Sequence, residues 1–181
     1  MADDVFGLEV VTPEQSLVAG GATAVVLATS EGDLTVLDGH TPLVGDVVPG
    51  LVKVDLADGT ELRLAVHGGF LQVDTSAGAA EGLAEGDGPL PGLSTRVTVL
   101  AGIAELSGEI DVPRAERARE AAAQRVAELS SGRGGAGSGA GSAAGSSEPP
   151  GTEAPNLALQ EAEEALARAE LRLRVAAGSH E

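Results

Sequence analysis

Cysteine, tryptophan and tyrosine do not occur in the 181 residues, and phenylalanine occurs twice. Without cysteine there are no disulfides and no thiolate chemistry, and the composition suits a reducing compartment. With only two aromatic residues, Val, Leu and Ala must supply nearly all the buried area, at about 25 cal/mol per Å². A small core is therefore expected from a chain that is 43% apolar, with partner contacts helping to hold the fold. No run approaches the ~20 apolar residues that cross a bilayer. The opening "MADDVFGLEV" has neither a basic region nor an apolar run, so no secretory leader is expected, and with the missing cysteines the expected location is cytoplasmic.

Positive charge is scarce in the first part of the chain. Residues 1–110 hold three bases (Lys53, Arg63, Arg96) against 17 acids, whereas residues 111–181 hold eight arginines against 11 acids, within a net charge of −17. An acidic chain with almost no aromatic rings lacks both phosphate neutralisation and base stacking, which excludes nucleic acid as a partner.

What is present from Gly7 to Leu106 is a series of strand-length Val/Leu runs separated by Gly, Asp and Pro: "LEVVT", "TAVVLAT", "DLTVL", "LVKVDL", "ELRLAV", "GFLQV" and "RVTVL". In residues 51–66, Val52, Val54 and Leu56 alternate with Lys53 and Asp55. An Asp58-Gly59 turn follows, and then Leu62, Leu64 and Val66 alternate around Arg63, which predicts a hairpin with one wet face. The spacing of the runs predicts an antiparallel sandwich or barrel over residues 1–108.

At "EIDVPRAERAREAAAQRVAELSS" the periodicity changes. Asp111 suits an N-cap, Pro113 is tolerated only in a first turn, and Ala115, Ala118, Ala122, Val126 and Leu129 recur every three or four residues, predicting a helix over 109–131. A second helix is predicted over 156–177, with a seam of Leu159, Ala162, Leu166, Ala169, Leu173 and Ala176. Seams this rich in alanine bury little area, so the expected α-helical hairpin is weakly held and able to open. Two Gly/Ala/Ser/Pro-rich segments, 76–92 and 132–155, are expected to be flexible insertions with nothing to bury.

The chain offers little chemistry. There is no GxSxG, no phosphate-cradling loop and no His pair at ligand spacing, since His40, His67 and His180 lie far apart. No catalytic or metal site is expected. In "DGHTPL", His40 reads as a turn residue whose imidazole caps backbone groups, and His67 in "VHGGF" reads as structural, beside two glycines that permit backbone geometry closed to other residues.

"LEVVTPEQSLVAGGATAVVLATSEGDLTVLDGHTPLV", the "PG" before the hairpin, "AVHGGFLQV", "VTVLAGIAEL" and "IDVPRAERAR" together resemble the epsilon subunit of the ATP synthase catalytic sector, of the bacterial type, across residues 6–74 and 96–129. The resemblance implies an all-β sandwich of about ten strands followed by a C-terminal α-helical hairpin. It also implies a non-catalytic rotor subunit in the central stalk of a proton-translocating enzyme. Such a subunit contacts the gamma subunit and the c-ring, sits peripherally on the cytoplasmic face of the plasma membrane, and restrains ATP hydrolysis through its helices. The sequence departs from the pattern at Asp38, where proline is usual, and in the two insertions.

By the same resemblance, Glu31, Gly32, Asp33 and His40 form the c-ring interface, where His40 becomes an interface residue as well as a turn residue. No cofactor is required. Regulatory ATP is expected at a motif carried by Glu105, Ile110, Asp111, Arg114 and Ala115, with Arg168 and Arg172, four apart on one helix face, as added phosphate partners. Against this reading stand the N-cap role of Asp111 and the ordinary solvation of exposed arginines. Arg168, Arg172 and Arg174 are expected to hold an inhibited state against an acidic loop of the β subunit. The alternative function is a free-standing β-sandwich ligand- or partner-binding module whose helical tail serves oligomerisation.

Overall fold

The computed structural model describes residues 5–75, 95–132 and 153–178. The expected insertion at 76–92 lies outside them, as does nearly all of the one at 132–155. Nine strands are found among the described residues: β1 (Phe6–Val11), β2 (Ser16–Thr29), β3 (Gly32–Val36), β4 (Leu43–Val47), β5 (Gly50–Leu56), β6 (Glu61–Val66), β7 (Gly69–Thr75), β8 (Thr95–Ala101) and β9 (Ala104–Leu106). Helices α1 (Val112–Gly132) and α2 (Glu153–Ala176) follow, giving the expected sandwich-then-helices order.

The long strand β2 joins the two layers. Its first half pairs with β1 from Phe6↔Ala22 to Val11↔Ser16, and its second half pairs with β3 and with β5 across an irregularity between Ala22 and Ala24. The nine strands form one hydrogen-bonded sheet in the order β1-β8-β7-β4-β2-β5-β6-β9, with β3 added on β2, and it folds over at β2, which also pairs with β1. Every pairing is antiparallel except β1 with β8, which is parallel, a departure from the all-antiparallel expectation. Parallel partners need a long connection, and here strands β2 to β7 lie between the two in sequence.

The predicted hairpin is formed by β5 and β6, with Val52 opposite Leu64 and Val54 opposite Leu62. Its turn is wider than two residues: the Leu56 amide donates to the Thr60 carbonyl at 2.8 Å, and Gly59 takes φ +85. Alternation carries one side of each strand inward, so Phe6, Leu8, Val10, Val25, Leu27, Val52, Val54, Leu64, Val66, Leu71, Val73, Val97 and Val99 fill a single core. Valine dominates it, as the missing aromatics require, and Phe6 is its one ring.

Both helices begin near their predicted starts. A 3₁₀ turn, Ser107–Glu109, precedes α1, so the helix begins at Val112 after the Asp111 cap. α2 begins at Glu153, three residues before the predicted start. Gly132 likewise belongs to α1 and not to the linker. On α1, Ala115 and Ala122 are buried and Val126 and Leu129 half-buried, but Ala118 is exposed. On α2 the predicted seam is buried or half-buried throughout, yet Leu171 and Val175, on the opposite side, are buried too.

The chain divides into two compact units. The first comprises Met1–Ile110 and Arg174–Glu181, the second Asp111–Leu173.

Candidate functional site

Glu31, Gly32 and Asp33 sit at the turn from β2 to β3. Thr29 Oγ1 donates to the Gly32 carbonyl at 2.7 Å and accepts from the Glu31 amide at 3.3 Å, while Gly32 takes φ +125, a conformation that side chains disfavour. The turn is thus fixed by its own residues, and all three positions face solvent. Together with Thr29, Ser30, Leu34 and Leu43–Asp46 they line a groove of about 480 Å³ that gathers three carboxylates, Glu31, Asp33 and Asp46.

His40 is held elsewhere. Its amide donates to the Leu37 carbonyl at 3.2 Å, closing a turn with Gly39 at φ +75 in the third position, and the Gly39 amide donates to the hydroxyl of buried Thr95 at 2.9 Å. A third turn position with positive φ calls for glycine, and the second favours proline, so Asp38 occupies the place where proline would be cheapest. The ring Nδ1 lies 2.8 Å from the Thr41 carbonyl, which only accepts, so Nδ1 carries the proton. His40 is a turn residue, as its sequence context predicts, and it does not line the groove with Glu31, Gly32 and Asp33.

His67 opens the connection from β6 to β7. Its amide donates to the Ile103 carbonyl at 3.0 Å, and the Gly102 amide donates to the Gly68 carbonyl at 3.2 Å, stitching that connection to the one between β8 and β9. A cleft of about 700 Å³ lies here, lined by Val11–Pro13, His67–Phe70 and Leu100–Gly102. Beside it the outer face of the β4-β7-β8 layer carries an apolar strip that sequence reading missed: Val44, Phe70 and Leu100 are 75%, 57% and 49% exposed. Phe70 and Leu100 are direct cross-strand partners. The signal was available, since both take outward positions in strands whose inward positions are also apolar.

The expected nucleotide residues are divided between the units. Glu105 pairs with Ala65 in the β6–β9 ladder and, with Ile110, belongs to the first unit; Asp111, Arg114, Ala115, Arg168 and Arg172 belong to the second. Asp111 Oδ1 accepts from the Arg114 amide at 3.0 Å, which makes it the N-cap of α1. Arg114 is exposed and Ala115 is buried. Arg168 Nη1 lies 3.7 Å from Glu164, one turn earlier on α2. Arg168 and Arg172 share a flank of that helix, but Arg174 is about 200° around from Arg172, so the three do not form one face.

Among the described residues no group of His and carboxylates is placed to hold a metal ion, and no helix is long and apolar enough to cross a membrane.

Comparison with known proteins places this architecture. A family profile described as the beta-sandwich domain of the ATP synthase Delta/Epsilon chain matches residues 5–77. Over 129 residues the chain is 37% identical to an ATP synthase epsilon chain of Streptomyces griseus, covering 67% of this chain and 89% of that one. It is 39% identical over 117 residues to the ATP synthase epsilon chain of Thermobifida fusca, covering 64% and 72%. Its fold is similar to that of a chain in the cryo-EM structure of the Euglena gracilis mitochondrial ATP synthase, with a TM-score of 0.58 and 18% identity over 92% of this chain and 78% of that one. With over a third of its aligned residues identical across nearly the whole of a bacterial relative, and with the sandwich-then-helices architecture described above, this chain belongs to the family of ATP synthase epsilon chains.

Proposed function

We propose that this chain is a non-catalytic rotor subunit in the central stalk of a proton-translocating ATP synthase, peripheral to the membrane on its cytoplasmic face, contacting the gamma subunit and the c-ring. The observation that carries this reading is the 37% identity extending over 89% of a protein named an ATP synthase epsilon chain. The groove end of the sandwich, with Glu31, Gly32 and Asp33 on a turn fixed by Thr29, is the surface offered to the c-ring, with the His40 turn beside it in sequence as a second contact.

The helices carry regulation. In this reading Arg168, Arg172 and Arg174 engage an acidic surface of the β subunit and restrain ATP hydrolysis, and ATP is a regulatory ligand of the helical part. Arg114, Arg168 and Arg172 supply cations for its phosphates, and the carboxylates of Glu105 and Asp111 supply acceptors for adenine, ribose or a neighbouring arginine. Asp111 already caps α1, so a nucleotide must share that carboxylate with the Arg114 amide. Ala115 has no polar atom in its side chain and supports the helix start only.

Fractionation tests the rotor reading. Membranes from cells carrying a tagged copy should yield the chain together with a membrane-bound ATPase. A chain recovered alone in the soluble fraction, with no ATPase bound, overturns it and favours a free-standing module.

A further inference from the structure

Two of the three cations in residues 1–110, Lys53 and Arg63, lie side by side on the outward face of the β5–β6 hairpin. They share one carboxylate: Glu61 is 2.9 Å from Lys53 Nζ and 2.7 Å from Arg63 Nε, and Asp55 lies 3.9 Å from Lys53. Bonding through Nε orients the guanidinium, which turns Nη1 away from Glu61, and that nitrogen donates to the carbonyl of Gly178 at 3.1 Å. The partners are 115 positions apart in sequence and lie in the same compact unit, which takes in Arg174–Glu181 as well as the strands.

Gly178 is built to receive this bond. It follows α2 with φ +69, and its amide donates to the Val175 carbonyl at 3.1 Å, which closes the helix in the left-handed cap that glycine favours. A Cβ at this position would stand 2.8 Å from Arg63 Nη1, so the guanidinium rests on the bare Cα. A cation at a helix C-terminus also meets the negative end of the helix dipole. Val175, one turn before the cap, is 1% exposed. The Arg63 side chain is 28% exposed, covered well beyond what a free surface arginine shows.

We propose that Arg63, aimed by Glu61, is a clasp that fastens the last turn of α2 to strand β6, and that releasing this one bond frees the end of α2 while the strands stay folded. The strands close their own core without Arg63, which points outward, so the clasp and the core are separable. The clasp is a property of the chain alone and stands or falls independently of the rotor reading.

Amide hydrogen exchange on the full 181-residue chain tests it. In Arg63→Ala, the amides of Leu173–Gly178 should exchange about tenfold faster, the size expected for one hydrogen bond from a charged donor, while those of Val52, Val54 and Leu64 keep their protection. Glu61→Gln, which keeps the shape but loses the charge that orients Nε, should accelerate the same helix-end amides by about threefold. If Arg63→Ala also loosens the strands, Glu61→Gln decides alone. Helix-end exchange within twofold of the parent in Glu61→Gln, with the strands of Arg63→Ala unaffected or not, overturns the clasp.

Discussion

Asp111 accepts a hydrogen bond from the Arg114 amide at 3.0 Å, so two residues of the expected nucleotide motif are already engaged with each other as a helix cap. This bond satisfies one of the orphan amides at the start of α1 and sets where the helix begins. Asp111→Ala should therefore destabilise α1 by about 1 kcal/mol, and Asp111→Ser should restore most of that loss. Calorimetry separates capping from ligand binding. If ATP heats vanish in both variants, the carboxylate itself holds nucleotide; if they vanish in Ala and return in Ser, only the cap matters. An absence of ATP heat in the parent chain down to millimolar affinity removes the nucleotide role altogether.

Gly69 marks a tighter constraint. A Cβ there would collide with the Leu100 carbonyl and come within 2.9 Å of the Ala101 Cα, and its φ of +156 is one that side chains rarely adopt. The obstacle is backbone on a neighbouring strand and has no rotamer through which to yield. Gly69→Ala should cost on the order of 3 kcal/mol. Denaturant unfolding of the variant should show a lower midpoint with unchanged slope; an unchanged midpoint would mean that β7 and β8 can separate without loss.

The charge network on the β5–β6 hairpin sets an acid limit. Hydrogen bonds from Lys53 and Arg63 hold the Glu61 carboxyl below its ordinary 4.5, and bonds from Thr60 hold Asp58 below 3.8. A carboxyl with a depressed folded pKa contributes stability that is present above its unfolded pKa and lost as pH falls through the folded value. Lys53, raised above 10.5 by the Glu61 hydrogen bond and then by Asp55, contributes in the opposite sense and loses its share only in strong alkali. Stability should thus hold from neutrality to about pH 4.5 and decline below it, and Glu61→Gln should flatten that decline. The check is the denaturation midpoint against pH for both chains; parallel curves would exclude Glu61 as a cause.

The same hairpin shows why much of the fold was legible in sequence. Strict alternation from Val52 to Leu56 and from Leu62 to Val66, broken by Asp58-Gly59, fixes which face each residue takes, and the pairing found keeps Val52, Val54, Leu62 and Leu64 on one face. β4 was missed because Gly45 and Asp46 interrupt its apolar pattern, and β9 because three residues carry no period. Those strands are specified by their partners β7 and β6, which sequence does not display. The seam of α2 was legible as a stripe, but the burial of Leu171 and Val175 on its other side was not, because one apolar stripe already accounted for the helix. At the site, the turns at Gly32 and Gly39 were visible as glycines, whereas the anchoring of Gly39 to Thr95, 56 positions away, could be seen only once the chain was folded.

At the groove end, Glu31 and Asp33 are exposed on a turn that owes nothing to their carboxylates, so reversing a charge there should leave the fold intact. In membranes carrying the assembled enzyme, Asp33→Lys should weaken the coupling of proton flow to ATP synthesis and leave ATP hydrolysis by the detached soluble sector nearly unchanged. His40→Trp adds bulk to the neighbouring turn and should act in the same direction. Proton pumping at the parental level in both variants would count against this end as the c-ring contact.

The arginines of α2 make the last prediction, and their geometry divides it. Arg168 and Arg172 share a flank, while Arg174 lies on the far side and is exposed. One partner surface lying along the helix would meet the first two together, and would reach Arg174 only by wrapping around it. Arg168 also has an existing partner in Glu164, which any new acidic partner must displace. Partly exposed ion pairs contribute about 0 to 1 kcal/mol each, so no single substitution should release inhibition. Arg168→Ala with Arg172→Ala should raise ATP hydrolysis by the assembled complex about threefold, and adding Arg174→Ala should change it little further, if the contact is one-sided. If Arg174→Ala contributes as much as the other two, the helix end is enclosed by its partner and not laid against it. Hydrolysis unchanged in the triple variant would remove all three arginines from the inhibitory contact.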